Sequence, residues 1–138
     1  MSKVQALQND WQPRILSVLR IVTALTLLEF GLQKWFDFPP ARTWAPPELL
    51  SQAGITGGIE LVGGLLLTLG LFTRPVAFLL SGEMAFAYWI AHFPRNPFPI
   101  SNFGIPALLF CFIFFYVFVA GGGAWSIDNA LKRRAAAG

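Results

Sequence analysis

The chain has 138 residues, enough for a single domain. Hydrophobic residues make up 55% of it and charged residues only 12%, too few to cover the surface of a soluble protein of this size. The formal net charge is +3, but the basic residues lie at the ends of apolar runs rather than in a patch with aromatic residues. The sequence therefore argues against nucleic-acid binding.

Four apolar runs dominate the chain, at 15–36, 55–72, 76–93 and 103–121. Each has about the length of helix that crosses a ~30 Å hydrocarbon core. None has the polar stripe of a helix that packs in a soluble protein. The sequence therefore predicts an all-α fold, an integral membrane four-helix bundle that covers residues 14–122.

A polar arm, residues 1–13, precedes the first run, and Pro13 is expected at the start of the first helix, where proline is tolerated. The first run is too long for a signal-peptide core and no small-residue cleavage site follows it, so we interpret it as a retained span. The segment 37–53 contains two proline pairs and is expected to form a loop that caps the bundle.

The last helices have recognisable start signals. Ser101 or Asn102 is expected to cap the fourth helix, with Pro106 in its first turn. Residues 123–138 are predicted to form a short, amphipathic and basic tail whose helix begins after Ser126.

The positive charges predict the orientation of the chain in the membrane. Six basic residues fall on one side and three on the other, which places both termini in the cytoplasm by the positive-inside rule. Arg20 and Lys34 are expected to extend their long side chains to the inner and outer interfaces. The predicted cytoplasmic anchors are Lys3, Arg14, Arg74, Lys132, Arg133 and Arg134, and the outer basic residues are Lys34, Arg42 and Arg95.

Three glutamates lie inside the predicted spans, where ionisable side chains are costly and usually functional. Counting along the helices places Glu29 about 9 Å below the outer boundary, Glu60 at a similar depth and Glu83 halfway along the third helix. We therefore predict a ligand-binding site in the outer half of the bundle, made of Glu29, Gln33, Glu60, Glu83, Tyr88 and His92.

These residues also have structural interpretations. Glu60 lies among three glycines, so it can equally be a protonated side chain that hydrogen-bonds across a close helix contact. His92 can be an interfacial histidine in contact with water. Glu83 and His92 lie about 180° apart on an ideal helix, which disfavours a direct pair, whereas Tyr88 and His92 share one face.

The cysteine and histidine content limits the chemistry of the chain. Cys111 is the only cysteine, so the chain cannot carry out disulfide exchange by itself. His92 is the only histidine, which excludes bis-histidine haem and histidine-rich metal sites. We therefore expect no intrinsic cofactor, no metal and no self-contained redox or hydrolytic site.

Several segments resemble the DoxX family of four-helix membrane proteins. They are Gly-Leu-Gln-Lys-Trp-Phe at 31–36, the glycine-rich 58–67, and the segments 69–74, 82–88, 92–95 and 121–128. The resemblance implies a bacterial inner-membrane protein linked to oxidoreductase systems, since relatives include subunits of a thiosulfate:quinone oxidoreductase. Quinone is then the implied ligand. The residues that carry over are Lys34, Glu60, Arg74, Glu83 and His92.

Two positions depart from the family pattern. Phe30 stands where the family often has a histidine, and the chain reads Asn102-Phe103-Gly104-Ile105 where the family often reads Asn-Gly-Gly-Glu. A polar group is missing at each place. If the family site needs these groups for proton transfer, this chain is a binding or scaffolding variant.

Three functions are compatible with these features. The favoured one is a subunit of a quinone-connected membrane complex, in which the glutamates bind the head group and aromatic side chains hold its ring. The second is a structural or assembly subunit that packs its Phe-rich faces against larger membrane partners or another copy. The third is a small-molecule carrier, for which four helices leave little room without dimerisation.

Overall fold

The structure, a computed structural model, describes residues 1–41 and 43–138. Arg42, counted above on the outer side, lies outside the described residues. The described part of the chain is all-helical. Its elements are α1 (Lys3–Phe36), α2 (Gln52–Leu69), α3 (Thr73–Ala87), a π-helical turn (Tyr88–His92), α4 (Pro99–Asn102), α5 (Ile105–Ala120) and α6 (Ile127–Ala137).

Four of these helices share one core. α1 packs against α2 and α5, and α3 packs against the same two helices. The fully buried side chains at the centre include Leu27, Leu67, Leu80, Phe114 and Val117. This arrangement brings the C-terminal end of α1 beside the N-terminal end of α2, where the candidate site lies.

Apolar side chains also cover the outside of the molecule. On α5, Phe112 is 65% exposed and Phe115 is 50% exposed. Large exposed apolar surfaces of this kind mark contact with a membrane or a partner. Two helices, α1 and α2, are long and apolar enough to cross a membrane.

The first helix begins earlier than the sequence predicts. α1 starts at Lys3, and Pro13 lies inside it rather than at its first position. A capping box explains the early start, because Ser2 Oγ accepts a hydrogen bond from the Gln5 N–H while the Gln5 side chain accepts one from the Ser2 N–H. The polar arm is therefore helical, and α1 has 34 residues, about 51 Å at 1.5 Å per residue.

The predicted cap of the fourth helix is also wrong. Ser101 and Asn102 belong to the short helix α4, and Gly104 is the N-cap of α5. Two other predicted features are confirmed: Pro106 lies in the first turn of α5, and Ser126 caps α6 by accepting a hydrogen bond from the Asn129 N–H.

Candidate ligand-binding site

A cavity of about 580 Å³ lies where α1 ends and α2 begins. The end of α3 with its π turn and the first turns of α5 complete the walls. Its lining mixes a few ionisable groups with apolar and aromatic side chains, which is typical of small-molecule sites. The lining residues used below are Phe30, Lys34, Thr56, Glu60, Glu83, His92, Phe103 and Phe110.

An ion pair between α1 and α2 forms one wall. Lys34 Nζ lies 2.7 and 2.8 Å from the two carboxylate oxygens of Glu60 and donates a third hydrogen bond to Thr56 Oγ1 at 3.2 Å. The expectation that Lys34 reaches out to the membrane interface is therefore wrong. Because Glu60 is only 4% exposed, a cation within reach offsets the cost of burying its charge.

Small residues let the two helices come close enough for this pair. An ideal Cβ at Gly31 would lie 2.9 Å from the backbone oxygen of Gly57, closer than ordinary packing allows. An ideal Cβ at Gly64 would lie 3.1 Å from the Leu28 Cβ. The glycine face around Glu60 therefore makes the close contact that its sequence pattern predicts.

Glu83 lines the same cavity but, unlike Glu60, pairs with none of the described residues. Its side chain projects from α3, and the residue is 9% exposed. Neither carboxylate oxygen has a hydrogen-bond partner among the residues that the structure describes. Buried polar groups are normally satisfied, so an unpartnered carboxyl group that lines a cavity points to a bound molecule.

The π-helical turn at the end of α3 places His92 in the wall of the cavity. The Phe93 N–H bonds to the Tyr88 carbonyl at 2.8 Å, which inserts one extra residue into the helix and turns His92 into the cavity wall. Glu83 and His92 thus line one cavity, although an ideal helix would place them on opposite faces. His92 Nδ1 lies 3.0 Å from the Asn102 carbonyl oxygen, which can only accept, so Nδ1 carries the proton and Nε2 is the free acceptor in the neutral ring.

The sequence analysis did not predict the contact between Asn102 and His92. Asn102 is fully buried, its side-chain Nδ2 donates to the Asn96 carbonyl at 2.8 Å, and its Oδ1 accepts from the Gly104 N–H at 2.7 Å. These bonds hold the loop whose carbonyl orients His92. The sequence offered two signals for Asn102, its position before the fourth apolar run, which was interpreted as a helix cap, and its match to the first residue of the family's Asn-Gly-Gly-Glu segment.

The DoxX family model matches residues 15–93, more than half of the chain. The chain belongs to the DoxX family. It is also 42% identical to an uncharacterized protein of Haemophilus influenzae over 134 residues, covering 91% of this chain and 97% of that protein. No solved structure matches it. The matched residues include Lys34, Glu60, Glu83 and His92, and the chain is accordingly a membrane protein.

Three predicted ligand residues lie outside the cavity of this DoxX protein. Glu29 is exposed on another face of α1, and the Gln33 side chain donates to the Pro39 carbonyl at 3.0 Å. Tyr88 is buried behind the histidine, with the rings of Tyr88 and His92 stacked at 6.5 Å between centroids. The structure therefore brings Glu60, Glu83 and His92 together and leaves these three apart.

The opposite end of the DoxX protein is held by arginines. Arg20 is fully buried and donates to the carbonyls of Gly122, Trp125 and Thr68. The expectation that it extends to the inner interface is wrong, because its donors bond to the Thr68 carbonyl in the last turn of α2 and to the carbonyls of Gly122 and Trp125 in the segment after α5. Arg74 donates to the carbonyls of Phe118 and Val119, at 3.0 and 2.6 Å, and so satisfies the end of α5.

Asp128 fastens α6 to the start of α3. Its carboxylate accepts the backbone N–H groups of Phe72 at 2.9 Å and Thr73 at 2.8 Å. Partial burial alone would raise the pKa of Asp128, but the N–H groups of Thr73 and Phe72 and the nearby Lys132 outweigh it and hold that pKa below its ordinary value. The basic tail is thereby attached to the same end of the molecule as Arg74.

Proposed function

We propose that this protein is a quinone-binding DoxX subunit of a redox-linked complex in the bacterial inner membrane. The observation that carries the proposal is Glu83, a buried carboxyl group that has no hydrogen-bond partner among the described residues and lines a cavity that also holds the Lys34–Glu60 ion pair and His92. In this proposal the chain crosses the membrane four times, both termini are cytoplasmic, and the cavity lies in the outer half.

The cavity residues fit the head group of a quinone. Such a head group is a planar ring with oxygen atoms at its edge, so it needs apolar surfaces for its faces and polar groups for its oxygens. Phe30 and Phe110, whose rings meet edge to face at 6.0 Å between centroids, provide an apolar wall. Glu83 and His92 Nε2 provide the polar groups.

Each ionisable residue has a separate role in this proposal. Bound quinone would supply the two-electron, two-proton chemistry, and electrons would come from a partner subunit because this chain has one cysteine and one histidine. Glu83 would hold a proton at a carboxyl oxygen and hydrogen-bond the head group. Lys34 would stay bound to Glu60 and Thr56, which use its three N–H donors.

The charge distribution supports the proposed orientation. Arg74 and the tail residues Lys132 and Arg133 line one concave surface at the end opposite the cavity. Short basic segments favour the cytoplasmic side, which places the cavity toward the outside. The exposed Phe residues of α5 then face lipid, a partner subunit or a second copy of this chain.

Quinone content after purification tests the proposal. The protein would be purified in mild detergent, and bound quinone would be extracted and identified by absorbance and mass spectrometry. Glu83→Gln and Glu60→Gln should lose the quinone, whereas Glu29→Gln, on an exposed face outside the cavity, should keep it. A quinone-free protein that co-purifies in fixed ratio with a larger complex would contradict the proposal and favour an assembly role.

A further inference from the structure

We infer that a second groove, between α2 and α3, holds the hydrocarbon tail of the molecule whose head group occupies the polar cavity. This inference rests on the proposed function and adds to it the path by which the ligand meets the membrane. The groove has a volume of about 640 Å³. Apart from the residues that it shares with the cavity, its walls are formed by Ile55, Ile59, Phe78, Leu79, Gly82 and Phe86.

The groove and the polar cavity meet along a common edge. Gln52, Thr56 and Glu83 line both of them. The unpartnered carboxyl group of Glu83 therefore stands at the junction, with a polar cavity on one side and an apolar groove on the other. A molecule with a polar head and an apolar tail fits this arrangement, because its polar end and its hydrocarbon end would each contact matching surface.

The groove is apolar and faces outward. Phe78, Leu79 and Phe86 are each more than half exposed, and Ile55 is 49% exposed. In a membrane protein such side chains meet hydrocarbon, so a tail that leaves the cavity past Glu83 passes directly from the groove to the lipid. A hydrocarbon tail attached to the head group in the cavity also accounts for the carboxyl group of Glu83 at the inner end of the groove.

Gly82 keeps the groove open. An ideal Cβ at this position meets no heavy atom within 4 Å, so a larger side chain there would enter the groove without a clash against neighbouring residues. Gly58 offers a matched control, because a Cβ at Gly58 also meets nothing within 4 Å and Gly58 lines neither the cavity nor the groove. Both substitutions add the same bulk to a helix.

The test compares two probes on protein reconstituted in lipid nanodiscs: decylubiquinone and its tail-free benzoquinone head group. Gly82→Leu should weaken decylubiquinone binding about tenfold. It should leave the tail-free probe unchanged, and Gly58→Leu should leave both unchanged. Thermal unfolding and native mass spectrometry would establish that each variant is folded and keeps its oligomeric state. Leu79→Trp, which adds bulk to the same groove, is the second variant in case Gly82→Leu does not fold.

The possible outcomes separate this inference from the proposed function. If both probes bind every variant equally, the groove does not hold the tail, but the head-group site stands. If neither probe binds the unsubstituted protein, the proposed function fails as well. If Gly82→Leu changes the oligomeric state and binding of both probes together, the groove is covered by a second copy of the chain, and the inference is overturned.

Discussion

Lys34 on α1 and Glu60 on α2 form an ion pair across the glycine-lined contact of the two helices, with Nζ 2.7 Å from one carboxylate oxygen and 2.8 Å from the other. Glu60 is buried and the side chain of Lys34 is 32% exposed. The pair therefore joins the first two helices at the wall of the cavity. Glu83 differs from Glu60 because it has no such partner in the part of the chain that the structure describes.

Removing one member of this pair should destabilise the protein more than removing both. Lys34→Met leaves the Glu60 charge buried and unpaired, which costs about 3 kcal/mol, whereas Lys34→Met combined with Glu60→Gln should recover most of that loss. The stability of the single and the double variant can be measured by thermal unfolding in detergent, with tryptophan fluorescence as the signal. Equal losses in the single and double variants would show that the pair contributes nothing specific.

The close approach of α1 and α2 predicts opposite effects for two glycines. Gly31→Ala should destabilise the protein by about 1–3 kcal/mol, because its Cβ would press on the Gly57 backbone oxygen. Gly58→Ala should be neutral or stabilise by about 0.5–1 kcal/mol, because alanine favours the helix and the position is open. Thermal unfolding compares the stability of the two variants. A Gly31→Ala variant as stable as the unsubstituted protein would contradict the close approach of Gly31 to the Gly57 backbone.

The hydrogen bonds of Arg20 are expected to hold the segment between α5 and α6 against the rest of the protein. Arg20→Met should leave the Trp125 carbonyl without its side-chain donor and the Gly122 carbonyl with only the 3.4 Å bond from Ser17 Oγ. It should destabilise the protein by about 3 kcal/mol and make the segment before α6 sensitive to protease. Arg14→Met is the control, because Arg14 is exposed, lies over the Trp11 ring at 5.5 Å and, unlike Arg20, donates no hydrogen bond to the described carbonyls of this segment. Limited proteolysis with mass spectrometry locates the cleavage; equal resistance in both variants would refute the role of Arg20.

Asp128 predicts a pH-dependent stability. Its pKa is lowered in the folded protein, so the stabilisation is fully present above the unfolded pKa of about 3.9 and is lost as the pH falls through the folded pKa. Asp128→Asn should therefore be less stable than the unsubstituted protein at neutral pH, and the difference should shrink in acid below the ordinary Asp range. Unfolding temperatures across that range provide the measurement, and a difference that does not change with pH would contradict the prediction.

The contact of His92 with the loop carbonyl should select one tautomer of its ring. Because its Nδ1 faces the carbonyl of Asn102, the neutral ring should carry its proton on Nδ1. The chain has one histidine, so the ring signals in a nitrogen-15 NMR spectrum belong to His92 without further assignment. Signals of the other tautomer, with the proton on Nε2, would show that the loop carbonyl does not orient the ring.

Much of the fold follows from local sequence. Apolar runs in a membrane protein predict helices because a helix makes all the backbone hydrogen bonds of the segment internally. The helix ends at prolines and glycines can also be predicted, because these residues act on the neighbouring backbone. The loop after α1, the Ser126 cap and the close contact around Glu60 were all visible in this way. The start of α1 also depends on neighbouring residues, because the capping box of Ser2 and Gln5 begins the helix ten residues before Pro13.

The site depends on relations that no single segment contains. A lysine near a helix end can reach solvent or a neighbour, and only the rotation and depth of α1 against α2 decided that Lys34 meets Glu60. The residue inserted by the π turn rotates His92 onto the helix face that lines the cavity. Arg20 is buried because it hydrogen-bonds to the Gly122 carbonyl, which belongs to a distant part of the chain.

The sequence by itself determined an apolar, helical membrane protein with three glutamates in its spans, because hydropathy and helix propensity act over neighbouring residues. Only the tertiary structure decided that Glu60 is paired, that Glu83 pairs with none of the described residues and that Glu29 lies outside the cavity. The physical reason is that the partner of a buried charge is set by how the helices pack, which brings together residues such as Lys34 and Glu60 that lie 26 positions apart in the chain.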